Sequence, residues 1–316
     1  MKGQFPRRAA VAAIAVVVLA LPATPMFAQE EDHPSPRGKS WSPKRLADGQ
    51  PDMQGTYVSG WGVPNERFTP EERKAWNDTM DKYRGQNPGA YGTEWTESEL
   101  RKGAFVPKPG TVMVIDPPDG RVPFQPWALA KRNHIRDHWL DKEEYTDSRV
   151  RCLPAGPRFG FQSSYNGWQV MQTAGKVIIL QEHNHNYRVI NIDNTPHPSK
   201  DIQLWAGDSR GHWEGNTLVV DVANFTDKTW VIGEIGGEGM SVGTFHSPAL
   251  RMTERFTMRD ADNIDYEATI EDPNVYTRPW KIAYGIWKKA PKGYENYEFA
   301  CHEGNRWNEL TGQGQK

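Results

Sequence analysis

The chain has 316 residues, with 38 Lys and Arg against 40 Asp and Glu, a formal charge of −2, and 13 Trp, 11 Tyr and 11 Phe. That length suits one large domain or two small ones. A near-neutral, slightly acidic balance offers no basic face to collect phosphates, which speaks against nucleic acid as a partner.

The first 28 residues have the layout of a secretory signal peptide. Lys2, Arg7 and Arg8 give a positive start, Ala9 to Leu21 an apolar run, Pro22 and Pro25 break it, and Ala28 precedes an acidic stretch. The apolar run of 13 residues is short of the ~20 needed to span a bilayer. Cleavage near Ala28 would leave Gln29 to Lys316 with a formal charge of −5, since Lys2, Arg7 and Arg8 go with the leader. The expectation is a periplasmic or secreted protein with no stable membrane insertion after cleavage.

Residues 29–50, broken by Pro34, Pro36 and Pro43, read as an extended arm. A single β-rich domain then spans 51–316, with a helical and loop-rich part over 51–150 and an antiparallel β part over 151–316. Thr69-Pro70-Glu71-Glu72 supplies a capping hydroxyl, a first-turn proline and first-turn acids, and predicts a helix ending near Gly85. A second helix fits Trp127 to Leu140, with Trp127, Ala130, His134, Ile135 and His138 on one stripe.

From Trp168 the pattern changes to short strands and tight turns. Strands are predicted over Lys176–Gln181, Asn186–Ile192, Leu218–Val222, Leu250–Met258, Ile264–Ile270, Trp280–Trp287 and Tyr294–Ala300. Eight or more such strands without crossover helices predict a mainly β chain, an antiparallel β-barrel or sandwich with two peripheral α-helices in the N-terminal third. Cys152 and Cys301 are the only cysteines, and outside the cytoplasm a pair is expected to bridge. The bridge would tie the start of the β part to its last strand. It would close a loop of about 150 residues, worth up to roughly 5 kcal/mol on the chain-entropy model.

Aromatics on a β surface can pack a core or line a cavity for an apolar or aromatic ligand. Tyr187, Trp205, Trp213 and Trp280 are the lining candidates, and Arg188 the anchor for an anionic group. The densest polar run is Gln181-Glu182-His183-Asn184-His185-Asn186-Tyr187-Arg188. On a strand His183 and His185 would share a face and could hold a divalent metal with further ligands from elsewhere. His134 and His138, one helical turn apart, have similar potential but lack the adjacent glutamate of a hydrolytic helix motif. A second concentration contains Asp208, Ser209, His212 and Glu214, followed by Gly215-Asn216. It reads either as acid/base groups at a barrel mouth or as a hairpin whose turn needs Gly and Asn. His246 and His302 complete the candidates, His302 beside the expected bridge. In Glu254-Arg255, mid-strand, one side chain should point inward.

No Walker-type loop, dinucleotide fingerprint or zinc-finger spacing is present, so no nucleotide cofactor is implied. The residues lead to a small-molecule enzyme with acid/base chemistry, metal-assisted or not, in an aromatic-lined β pocket: a lyase, hydratase, isomerase or hydrolase. The alternative is a non-catalytic binding protein for an apolar or aromatic compound. Four segments, Gln50 to Gly55, Asp116 to Arg121, Gly211 to Val220 and Ala300 to Asn305, resemble stretches of a family of secreted bacterial proteins with no assigned activity. That resemblance implies one continuous domain and brings no chemistry. Gly55-Thr56-Tyr57 resembles the glycine-x-aromatic opening of lipocalin-like barrels, with tyrosine where tryptophan is usual.

Overall fold

The computed structural model describes residues 41–59, 66–67, 69–72, 74, 78, 113–138, 141–160, 167–183, 186–232 and 243–303. The strands are β1 (Gly55–Ser59), β2 (Val114–Asp116), β3 (Trp168–Thr173), β4 (Lys176–Gln181), β5 (Asn186–Asn191) and β6 (Asp208–Glu214). They continue with β7 (Thr217–Ala223), β8 (Trp230–Ile232), β9 (Thr244–Phe245), β10 (Arg251–Met258), β11 (Asn263–Glu271) and β12 (Trp280–Lys289). The chain is mainly β, as its patterning predicts.

Nine strands close a barrel in the order β1-β3-β4-β5-β6-β7-β10-β11-β12, with β12 pairing back to β1. An odd ring cannot alternate direction throughout, so one neighbouring pair must be parallel. That pair is β5–β6, joined at Ile190↔Ser209 and Asn191↔Arg210. The segment between them crosses to the top of β7, where Leu204 bridges Phe225. β2 takes the part of the β12 edge that β1 leaves open, pairing with Lys281 and Ile282.

Alternation decides which residues fill the barrel. β10 and β11 alternate buried and half-exposed positions along almost their whole length. In β12 the register passes from Asp265↔Ile286 to Tyr266↔Tyr284, one extra residue that re-aims the strand. Trp280 and Trp287, an odd seven apart, both therefore face inside and are fully buried.

The 3-10 helix Gly156–Gly160 enters the barrel, all five of its residues buried. Its backbone is held by two indoles: Trp168 Nε1–H donates to the Phe159 carbonyl (3.1 Å) and Trp287 Nε1–H to that of Gly160 (3.0 Å). Gly160 is required by close approach, since a Cβ there would lie 2.6 Å from Tyr266 Cε2 and 2.9 Å from Glu254 Oε1. The opposite end of the barrel is closed by residues 50–53: Met53 is fully buried and its N–H donates to Gln172 Oε1 (2.8 Å). Residues 41–50 are not extended as predicted. They turn back through Arg45↔Pro51 pairing, with Leu46 N–H donating to the Gln50 carbonyl (2.8 Å).

Both predicted helices appear in part. Thr69 and Glu72 form a reciprocal capping box (2.8 and 3.2 Å) ahead of helical residues 70–72, 74 and 78. The second helix is Pro126–Asp137, and its buried stripe is Ala128, Arg132 and Ile135, while Trp127 is exposed. Arg132 is drawn inward by an ion pair with buried Glu66. Among the described residues no helix is long and apolar enough to cross a membrane.

Tyr294–Ala300 is not a strand. A closed barrel has no free edge, and the β12 edge is shared by β1 and β2, so this alternating aromatic segment has no ladder to join. The Cys152–Cys301 disulfide forms, but it pins this irregular tail rather than a last strand.

Candidate functional site

Two buried polar constellations lie within the barrel and its cap. The first is on the inner wall, where β5, β6, β10 and β11 contribute Arg188, Ser209, Glu254 and Tyr266. Arg188 donates to Glu254 through Nη1 (3.0 Å) and Nη2 (2.5 Å), and to Ser209 Oγ through Nε (3.2 Å) and Nη2 (2.9 Å). The Tyr266 hydroxyl donates to Glu254 Oε1 (2.7 Å), and the guanidinium lies 5.1 Å from the Phe159 ring centre. Burial works against the charged Arg188, but the Glu254 carboxylate and its hydrogen bonds outweigh it and raise the pKa. Burial first, then the Glu254 charge, pushes the Tyr266 phenol well up. Of the pair Glu254-Arg255, Glu254 faces inward and Arg255 outward, where it donates to Glu214 (2.8 Å). All three guanidinium nitrogens of Arg188 are thus engaged by the protein itself, not held open for a substrate anion.

The second constellation sits at the β4–β5 end. Asp147 and Arg158, both fully buried, form a two-pronged ion pair, and Asp147 also caps its turn by accepting the Arg149 N–H (2.9 Å). Burial would raise the Asp147 carboxyl, but the charge and hydrogen bonds of Arg158 prevail and hold it below the usual range. His183 is close by, its ring centre 4.5 Å from that of Phe299. Its Nδ1 is buried and takes no hydrogen bond from any described residue. Burial, reinforced by the charge of Arg149 and only partly opposed by Asp147, lowers the imidazole to about 3. His183 is therefore neutral across the ordinary pH range. It can donate or accept a hydrogen bond, but it is far too weak a base to shuttle protons near neutrality.

His183 is not on a strand. β4 ends at Gln181 and β5 begins at Asn186, so His183 lies in the connecting turn, whose carbonyl accepts from the Asn186 side chain (3.4 Å). His183 therefore does not stand on a strand face as expected, and His185, its expected partner on that face, lies outside the described residues.

The remaining candidates are dispersed. His212 and Glu214 face solvent near the β6–β7 turn, 3.2 Å apart, and the Arg255 hydrogen bond, then that of His212, lowers Glu214. This matches the hairpin alternative, with Gly215 at φ +61° making the turn. Asp208 is on the outer wall, between His197 Nδ1 (2.6 Å) and Arg210 (2.7 and 3.0 Å). His246 is buried elsewhere: Nδ1–H donates to the Ser247 carbonyl (3.0 Å), so Nε2 accepts from Thr229 Oγ1 (2.8 Å), and burial lowers its pKa. His302 is exposed beyond the disulfide. The rings of His134 and His138 lie 4.2 Å apart, tilted by 30°, with His138 Nδ1 bonded to the His134 carbonyl. Among the described residues no three His, Cys, Asp or Glu side chains are grouped to hold a metal ion.

Of the aromatic candidates, Tyr187 is on the outside of β5, 66% exposed. Trp205 is half-buried, and Trp213 packs against the core and reaches Gln50 Oε1 (3.3 Å). Trp280 alone of the four is fully inside, its indole N–H without a partner among the described residues. Residues that the sequence did not single out are Asp147, Arg158, Tyr266 and Phe299. The only available signal was three arginines, Arg149, Arg151 and Arg158, in an irregular stretch around a cysteine, where solvated loops need no such charge. No family model matches the chain, and neither a curated protein nor a solved structure is similar to it.

Proposed function

We propose that the chain is a small-molecule-binding barrel of the extracytoplasmic space, holding an apolar or aromatic compound at the barrel end where His183 and Phe299 meet. The observation that carries this reading is the buried Nδ1 of a neutral imidazole, left without a partner among the described residues, beside an aromatic ring and buried cationic side chains. Buried polar atoms are nearly always hydrogen-bonded, and an exception calls for a missing partner. A ligand with one hydrogen-bonding group and an aromatic body would satisfy the imidazole and stack on the ring. Acid/base catalysis finds less support: His183, lowered to about 3, takes up no second proton near neutrality, and His212, Glu214, Asp208, His246 and His302 do not converge. Export fits the leader-like first 28 residues and a bridged cysteine pair.

A thermal-shift screen of small aromatic compounds, with and without a carboxylate or hydroxyl, tests the proposal. A bound compound should raise the melting temperature progressively with its concentration. The rise should persist in His212→Ala and vanish in His183→Ala. No response across the panel, or an unchanged response in His183→Ala, sinks it.

A further inference from the structure

The tail beyond β12 returns over the β4–β5 end of the barrel. Tyr294 Oη donates to Glu182 Oε2 (3.3 Å) and the Tyr297 N–H to Glu182 Oε1 (2.9 Å), so one carboxylate in the turn before His183 grips the tail at two points. Two residues on, Phe299 lays its ring against His183, and two further on Cys301 bonds to Cys152. Side chains along it sort by face: Tyr294, Asn296 and Phe299 are half-buried, while Tyr297 is 72% exposed.

This segment has no β ladder. Its position therefore rests on a few side-chain contacts and a covalent pin, the pattern of an element that can lift while the barrel stays intact. Cys152 leaves the same irregular stretch as Asp147 and Arg158, with its own backbone at φ +60°. The pin thus joins the two walls of the His183 site. From this arrangement we infer that residues 291–303 form a strap over the His183 site, with Phe299 as its cover and the Cys152–Cys301 bond as its anchor, and that ligand access requires the Phe299 ring to swing off His183 while the bridge holds. The inference rests on the binding site proposed above and concerns its regulation.

The test uses no ligand, so it can fail separately from the binding proposal. Full-length protein is treated with diethylpyrocarbonate, which modifies accessible neutral imidazoles, and each histidine is read by peptide mass spectrometry. Exposed His212 serves as the reference for full reaction, and buried His246 as the reporter of an intact fold. In the bridged wild type His183 should react far more slowly than His212. In Phe299→Ala, with the bridge intact, and in the double variant Cys152→Ser/Cys301→Ser, His183 labelling should rise severalfold while His246 stays protected. If the double variant also exposes His246 it has unfolded, and Phe299→Ala alone decides. His183 labelling that stays at its wild-type rate in Phe299→Ala, or a His183 as reactive as His212 in the wild type, overturns the strap.

Discussion

The indole of Trp287 lies flat against that of Trp168, ring centres 4.3 Å apart and planes 13° apart. The two residues come from β12 and β3, the strands on either side of β1, so the stack spans the seam at which the barrel closes. Phe256 meets Trp287 edge-on at 5.3 Å, and both indole N–H groups hold the 3-10 helix that enters the barrel. Trp287→Ala removes a fully buried ring and a buried donor together, and should cost about 3–5 kcal/mol. Chemical denaturation measures it; a loss below about 1 kcal/mol would mean that the barrel interior is not the packed layer described.

The buried Arg188–Glu254 pair should behave as one unit. Arg188→Met leaves a carboxylate inside the barrel with Tyr266 as its one remaining donor among the described residues, and Glu254→Gln leaves an uncompensated guanidinium. Each single change should cost about 3–5 kcal/mol. The double variant should cost less than the sum of the two by about 0.5–3 kcal/mol. Strict additivity in the double-mutant cycle would show that the pair is not formed.

Much of this fold was legible from local pattern. The pattern bounds Lys176–Gln181 as observed and places Leu250–Met258 and Ile264–Ile270 within one residue of β10 and β11 at each end, because one face of each strand packs inward and the period of two survives. The same signal misled over Tyr294–Ala300, because alternation records a wish for a sheet and says nothing about whether an edge is free. It misled again at His183, where the strand period is carried past the end of β4 into a turn. The inward choice of Glu254 over Arg255, and its pairing with Arg188 and Tyr266, depend on barrel closure and register, which no local window contains. Asp147–Arg158 was invisible for a related reason: an irregular segment has no periodicity to betray which of its charges is buried.

The neutral histidines should show in the pH dependence of stability. Burial lowers both His183, to about 3, and His246. In the unfolded chain each takes up a proton near its ordinary value of about 6.5. Below that pH the unfolded state binds more protons than the folded state, so stability is full above about 6.5 and falls as pH drops. Asp147, held low in the folded state, adds its own loss only at more acidic pH, below its ordinary value of about 4. Between pH 4.5 and 6, His183→Gln should therefore flatten the slope of unfolding free energy against pH by up to about 1.4 kcal/mol per unit. An unchanged slope would mean that His183 is protonated in the folded protein.

Gln172 gives a prediction about the other end of the barrel. Its side chain points inward from β3, donating to the Pro51 carbonyl (3.0 Å) and Gln50 Oε1 (3.3 Å) and accepting the Met53 N–H (2.8 Å). Gln50 in turn donates to the Thr173 carbonyl (3.1 Å) and accepts from Trp213. One amide thus fastens residues 50–53 across the barrel end at three points, alongside Trp213 on Gln50 and Tyr57 on the Met53 carbonyl. Gln172→Leu keeps the volume but strips a buried N–H and a buried carbonyl of their partner, a loss of about 1–3 kcal/mol. Because the strands above are held by their own ladders, the damage should stay local. Hydrogen exchange should accelerate at Asp52 and Met53 and remain unchanged at Val170, Ile179 and Phe256. Uniform acceleration through the barrel would show that residues 50–53 are part of its cooperative core rather than a stopper fitted to its end.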